Sequence, residues 1–347
     1  MSQPSIRDVA AMAGVSYQTV SRVLNDSPRV RPETRQHVLD VIDRLGYRPN
    51  RAARALNLGR AGAVTVLTSD TVLYGYARLL QGIEEAARVE GLPVGIRVIE
   101  SGSPADVRSA ADYVGDASAG GVIVVAFDPA GAAVLRALPG DVPAVAATEA
   151  GGLTGVARRM IYLDERPAAR EATRHLLSLG HRTVHHVAIP SETGTMGRQA
   201  GWRDALAEAG IPAPPVVAAG WDVTSAFHAS RDLATNPSVT AILCGNDDIA
   251  LAVRRALHEA GRDVPGDVSI VGFDDVPGCA YWTPALTTVR MNFVGLGHAC
   301  VAAVAAEIHG LPHADPVLEE PQLIIRESSG AAGQRARRTT IRNPRSQ

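Results

Sequence analysis

Lysine is missing from this chain: all 34 basic residues are arginine. That excludes a P-loop, which needs a lysine at the β- and γ-phosphates. Cysteine is almost as scarce. Cys244, Cys279 and Cys300 lie far apart with no CxxC pair, an odd and unclustered set that fits a reducing cytosol rather than a disulfide framework. No apolar run reaches the ~20 residues of a membrane span, and no apolar signal segment opens the chain. The expected location is therefore cytoplasmic, with no membrane contact. There is no GxGxxG after a strand and no GxSxG elbow. The stretch HRTVHH looks like a metal motif, but His185 and His186 are consecutive in an expected strand and point to opposite faces. The pairs Asp247/Asp248 and Asp274/Asp275 diverge at strand ends, and no histidine completes a ligand set. No cofactor, no metal and no enzymatic activity are expected. Aromatics make up only 4% of the residues, so each one placed at a strand end stands out.

One segment that is present is harder to dismiss. Val15 to Asn25 reads VSYQTVSRVLN. With Ser16 as N-cap, Tyr17, Gln18, Ser21 and Arg22 fall on one helix face, while Val20, Val23 and Leu24 fall on the other. The polar face carries a phenol, an amide, a hydroxyl and a guanidinium instead of the Glu/Lys mixture of a solvated surface. Upstream, Ser5 and Asp8 form a variant capping box ahead of an apolar run, and Gly14 supplies a short turn. This is the layout of a helix-turn-helix. Pro32 and Glu33 open a third helix, whose Val38, Leu39, Val41, Ile42 and Leu45 are expected to face inward, and Gly46 closes it.

Charge is distributed unevenly. Residues 1–60 hold 10 Arg against 5 acidic residues, leaving 24 Arg against 31 acidic residues in 61–347. A basic head on an acidic body is the footprint of a phosphate-binding module.

The segment from Ile6 to Leu56 resembles the DNA-binding headpiece of the LacI/GalR family of bacterial transcription regulators. VSYQTVSRV is similar to the family's recognition segment, and YRPNRAARAL, Tyr47 to Leu56, is similar to its hinge helix. The resemblance implies that Ser16, Tyr17, Gln18, Ser21 and Arg22 contact DNA from the major groove. Arg22 can donate two hydrogen bonds to guanine, and Gln18 can pair with adenine. Ser16, Ser21, Thr34 and Arg35 are candidates for phosphate contacts. The resemblance also implies that Asn50, Ala53 and Leu56 belong to a hinge that folds in the minor groove when two copies meet. Leu56 would wedge between base pairs there.

After residues 59–62 the chain changes character. Apolar runs of strand length (AVTVLTSD, LPVGIRVIE, GGVIVVAF, VPAVAAT, TVHHVAIP, VTAILCGND, VSIVGFDD) alternate with helical patterns. Such alternation implies parallel sheets covered on both faces. About 270 residues exceed one comfortable core, so two α/β lobes are expected, divided near Tyr162 and again near Arg290. The fold class is a small all-α headpiece plus a two-lobed α/β body, similar to periplasmic binding proteins. The domains read as 1–46 helix-turn-helix, 47–60 hinge, 61–330 effector and dimerisation body, and 331–347 a disordered basic tail.

Ligands in such folds bind beyond the carboxyl ends of strands. Ser69, Asp70, Asn246, Asp247, Asp274 and Asp275 fall there. The resemblance carries the family's effector positions onto Arg198, Trp221, Asn246, Asp274 and Phe293, and more loosely onto Leu73 and Glu149. Met291 and Asn292 stand where the family pattern has Gln and Asp. The expected function is a repressor of carbohydrate-utilisation genes. It would bind near-palindromic double-stranded operator DNA as a homodimer and be released by a sugar effector. Two alternatives stay open: a regulator of the same family controlled by a purine corepressor, and a soluble sugar-binding protein without a regulatory role.

Overall fold

The computed structural model describes residues 4–24, 29–47, 62–115, 120–149, 153–190, 197–312 and 315–333. The hinge positions Asn50, Ala53 and Leu56 and most of the basic tail lie outside the described residues. The chain separates into two compact units, Met1–Gly62 and Ala63–Gln347.

The first unit is helical: α1 (Ile6–Met12), α2 (Tyr17–Leu24) and α3 (Pro32–Leu45). The capping box closes α1. The Asp8 carboxylate accepts the Ser5 N–H at 2.7 Å, and the Ser5 hydroxyl accepts the Asp8 N–H. Gly14 makes the turn at φ +62°. The Ser16 Oγ accepts the Thr19 N–H at 3.1 Å and so caps α2. Gly46, left-handed at φ 59°, ends α3. The core is Val9, Ala10, Ala13, Val20, Val23, Val38, Val41 and Ile42. Leu39 differs from expectation, with 39% of its surface exposed. Val38, Val41, Ile42 and Leu45 form an i, i+3, i+4, i+7 stripe, and position 39 lies one step off it.

The second unit contains two parallel sheets. The first comprises β1 (Val64–Thr68), β2 (Val94–Val98), β3 (Gly121–Ala126), β4 (Ala144–Thr148) and β5 (Arg159–Ile161), in the order β2-β1-β3-β4-β5. Its helices are α4 (Tyr74–Val89), α5 (Pro104–Gly115), α6 (Pro129–Ala137) and, returning from far down the chain, α11 (Phe293–His309). The second sheet comprises β6 (His185–Ala188), β7 (Val217–Ala218), β8 (Ala241–Cys244) and β9 (Ser269–Val271), in the order β7-β6-β8-β9. Its helices are α7 (Glu165–Ser178), α8 (Gly197–Glu208), α9 (Val223–Thr235) and α10 (Asp247–Glu259).

Both faces of β3 are buried, as a parallel strand between helix layers requires. Ile123 and Val125 join the core that packs α4 and α11, while Val122, Val124 and Ala126 join the one under α5 and α6. Helices α4 and α11 approach through glycine. A Cβ on Gly82 would lie 2.2 Å from the Val294 carbonyl oxygen, and one on Gly297 would lie 2.5 Å from that of Leu79.

The chain passes between lobes near Tyr162 and near Arg290, at the two places the sequence indicates. It also passes a third time, after α11. There β11 (Gln322–Ile324) pairs antiparallel with β10 (Thr288–Arg290), and Ser328 bonds Ile270 beside β9. This returning strand, QLI, has only three residues, too few to show the apolar periodicity that marks the longer strands.

Candidate functional site

On the first unit, Ser16, Tyr17, Gln18 and Arg22 are exposed on α2 and Ser21 is half-buried. The opposite face of α2 is buried through Val20 and Val23. A 46% exposed Tyr17 beside an exposed amide and guanidinium forms a hydrogen-bonding surface that the helix core does not use.

On the second unit, an open cleft, with about 600 Å³ of empty space including the part open to solvent, lies at the carboxyl ends of the strands of both sheets, where ligand sites of open α/β sheets form. Leu73 and Tyr74 follow β1, Phe127 follows β3, and Thr148 and Glu149 end and follow β4. From the other lobe come Ile189 after β6, Asn246 and Asp248 after β8, and Asp274 after β9. All seven residues assigned to an effector in the sequence, Leu73, Glu149, Arg198, Trp221, Asn246, Asp274 and Phe293, line this one cleft.

The polar centre is Arg198, in the first turn of α8 and 8% exposed. Its guanidinium donates to Glu165 Oε1 at 2.8 Å, to Asp274 Oδ1 at 3.3 Å and to the Gly245 carbonyl. It also lies 4.4 Å from the centroid of the Phe273 ring. Burial works against the guanidinium charge, but Glu165 and Asp274 outweigh it and hold Arg198 protonated. Asp274 has the longer of the two carboxylate contacts. Burial pushes its carboxyl well above the usual range, and the nearby arginine only partly offsets this. Asp274 and Asp275 have φ of 110° and 54°, values uncommon for residues with a side chain and frequent at strained functional turns. Asn246 caps α10, its carbonyl oxygen accepting the Ile249 N–H at 2.8 Å. That leaves its amide N–H₂ as the group able to face a ligand.

The walls are aromatic. Tyr76 stands edge-on to Phe127 at 5.3 Å and to Trp221 at 6.2 Å, and Tyr74 stands edge-on to Phe293 at 6.4 Å. Five rings in a chain with so few are gathered at one cleft. Tyr74, Tyr76, Phe127 and Glu165 carry no signal in the sequence, and Asp248 stands out there only as half of a dismissed metal pair. The two tyrosines sit in the first turn of α4, inside a pattern that reads as an ordinary amphipathic helix. Glu165 opens α7 in a charged run.

Four strand-end residues read as possible ligands have other partners and do not line the cleft. Asp70 accepts the Val72 and Leu73 N–H groups in its own turn, and Ser69 bonds Asp128. Asp247 accepts the Thr288 hydroxyl at 2.6 Å and the Val276 N–H at 2.8 Å. Asp275 pairs with Arg290 and Arg326. The adjacent carboxylates do diverge: Asp274 meets Arg198, and Asp275 turns to the lobe crossing. Among the described residues no cluster of His, Cys, Asp and Glu is arranged to hold a metal, and no helix is long and apolar enough to cross a membrane.

Comparisons with known proteins cover both units. Residues 5–50 match the bacterial regulatory proteins of the lacI family, and residues 173–329 match a periplasmic binding protein-like domain. The Escherichia coli lactose operon repressor is 31% identical over 304 residues, covering 87% of this chain and 84% of its own length. The HTH-type transcriptional regulator CelR of Thermobifida fusca is 31% identical over 340 residues, covering 94% and 98%. Among solved structures, a lac repressor dimer bound to operator and an anti-inducer superposes with a TM-score of 0.83 at 28% identity, covering 95% of this chain and all of that one. A CelR–cellobiose complex superposes with a TM-score of 0.66 at 27% identity, covering 94% and 100%.

Proposed function

This chain belongs to the lacI family of bacterial regulatory proteins, and from that premise we propose that its effector is a small sugar held in the cleft between the lobes. The protein is a sequence-specific DNA-binding transcriptional regulator and not an enzyme. In the proposed mechanism a cytoplasmic homodimer binds a near-palindromic operator and represses carbohydrate-utilisation genes. The exposed Tyr17, Gln18 and Arg22 of each copy read base edges, and Ser16 and Ser21 help to set register. Asn50, Ala53 and Leu56 complete the minor-groove contact through a hinge at 47–60.

The observation that carries the sugar reading is the composition of the cleft. Rings line it beside Arg198, Asp274 and Asn246, a set that pairs apolar ring faces with donors and acceptors for hydroxyls. Because residues of both lobes line the cleft, a ligand in it biases how the lobes meet. Its effect on operator affinity equals its difference in affinity for the two arrangements, and a coupling of about 1–3 kcal/mol would change that affinity ~5–150-fold. We read the sugar as an inducer.

A thermal-shift panel of neutral mono- and disaccharides against purine bases, followed by operator release with each hit, tests the reading. Stabilisation by a sugar that also releases operator is the expected result. Stabilisation by purines alone would move the assignment to a corepressor.

A further inference from the structure

We infer that the cleft selects a sugar carrying a protonated amino group and rejects acidic sugars and sugar phosphates. This rests on the proposed sugar reading and narrows it to one charge class. Four carboxylates line the cleft, Glu149, Glu165, Asp248 and Asp274, against one cation among the described lining residues, Arg198. Its two terminal nitrogens already donate to Glu165, Asp274 and the Gly245 carbonyl, and its Nε is buried without a hydrogen-bond partner. A ligand carboxylate or phosphate would have to displace these bonds while facing three or four like charges. Even with Asp274 carrying a proton, three carboxylates remain against one guanidinium.

An ammonium meets the opposite environment. Asp248 stands in the first turn of α10 and lines the cleft, half-buried, and burial raises its carboxyl pKa. A cation beside it relieves that cost of desolvation. Rings of Tyr74, Tyr76, Phe127, Trp221 and Phe293 line the same cleft, and ring faces attract cations. An independent observation shows that the cleft is built for a polar occupant. Thr148 lines it and is 2% exposed, and its buried hydroxyl has no hydrogen-bond partner. Buried polar groups are normally paired, so this hydroxyl is left for the ligand.

The test is calorimetric titration of the full-length protein with two matched trios: glucose, glucosamine and glucuronate, then galactose, galactosamine and galacturonate. In the trio that binds, the amine should bind about tenfold or more tighter than the neutral sugar, as a charge-assisted contact requires, and the acid should show no binding. Raising salt from low to high concentration should shrink that advantage. Asp248→Asn should cut the amine's advantage over the neutral sugar about threefold or more, and a cooperative thermal unfolding transition reports that the variant is folded. An amine no tighter than its neutral partner, an acid that binds as well, or an advantage unchanged in Asp248→Asn would each overturn the inference. If no member of either trio binds and adenine or hypoxanthine does, the sugar reading itself has failed, a result distinct from neutral binding without amine preference.

Discussion

The two recognition surfaces of this chain are built in opposite ways. On the helical unit, Tyr17, Gln18 and Arg22 project from an exposed helix face over a core made only of apolar side chains. In the cleft, Arg198, Glu165 and Asp274 are buried and bonded to one another before any ligand arrives. The first design separates recognition from folding, because an exposed side chain can change without opening a cavity or stranding a charge. The second fuses them. A residue that would touch the ligand also holds the lobe together, so its replacement should be read in stability as well as binding.

Arg198→Ala should produce the largest effect. It strands Glu165 and Asp274 in a buried site, and breaking a buried ion pair by removing one partner costs about 3–5 kcal/mol. Urea unfolding of the full chain should show that loss together with an operator complex that no longer responds to effector. Full stability with the response lost would mean that the cleft, too, keeps recognition apart from folding.

Proton uptake in the second lobe offers a subtler probe. Burial raises the Asp247 pKa to about 6, against hydrogen bonds from Thr288 and Val276 that pull it down. The folded protein therefore keeps a proton that the unfolded chain releases near its ordinary 3.8. Stability from this group falls as pH climbs from about 4 to about 6. Burial lowers the His186 pKa to about 4, against a bond to the Leu243 carbonyl that pulls it up. Here the unfolded chain binds the extra proton below its ordinary 6.5, so stability from this group rises as pH climbs from about 4 to 6.5. Each contribution is about 3 kcal/mol at most, and over the shared window they oppose each other. Asp247→Asn should steepen the rise of stability between pH 4 and 6, and His186→Phe should turn it into a fall. Chemical denaturation at several pH values reads both slopes. Parallel profiles for the parent and both variants would show that neither buried group is linked to folding.

The same contrast governs what could be read from the sequence. The helical unit was legible because its signals are local. Capping by Ser5 and Ser16, the glycine turn and the two-faced helix all lie within a few residues of the groups they position. The central strands were legible because β1, β3, β4 and β8 are runs dominated by apolar residues. The short ends were not: β5, β7, β10 and β11 have two or three residues each, too few to show a period. Within the cleft, the predicted residues gathered as a set, but the wiring did not show. Glu165 meets Arg198 across 33 positions, and nothing near Glu165 marks it as buried. Asp274 and Asp275 look equivalent in sequence. The turn at positive φ separates them, one toward Arg198 and the other toward Arg290 and Arg326.

Arg22→Ala should sharpen the comparison from the exposed side. Arg22 is exposed and outside the helical core, so global stability should stay within about 0.5 kcal/mol of the parent. Operator binding should weaken by about 1–3 kcal/mol per half-site, with discrimination lost at one base pair. Titrations against operator and against random duplex at fixed salt separate the outcomes. Equal losses on both would make Arg22 a phosphate contact and remove it from base reading.

The smallest expected effect falls on the residue where the contrast is least clean. Ser16 is exposed and assigned a phosphate contact, yet its Oγ also accepts the Thr19 N–H at 3.1 Å and caps the helix that carries the reading residues. Ser16→Ala leaves that N–H without its acceptor and should cost about 1 kcal/mol of stability in the helical unit. Ser16→Gly costs only a few tenths, because glycine leaves the N–H open to water. The pair of variants therefore separates two roles of one hydroxyl. If Ser16 acts on DNA only by holding α2 in place, Ser16→Gly should recover most of the operator affinity that Ser16→Ala loses. If the hydroxyl itself donates to a phosphate, both variants should lose the same affinity, equally on operator and random duplex, because phosphate contacts carry no sequence information. We expect the second pattern in binding alongside the first in stability. Operator affinity that tracks stability across the two variants would reduce Ser16 to a cap and give the exposed surface one residue that behaves like the cleft.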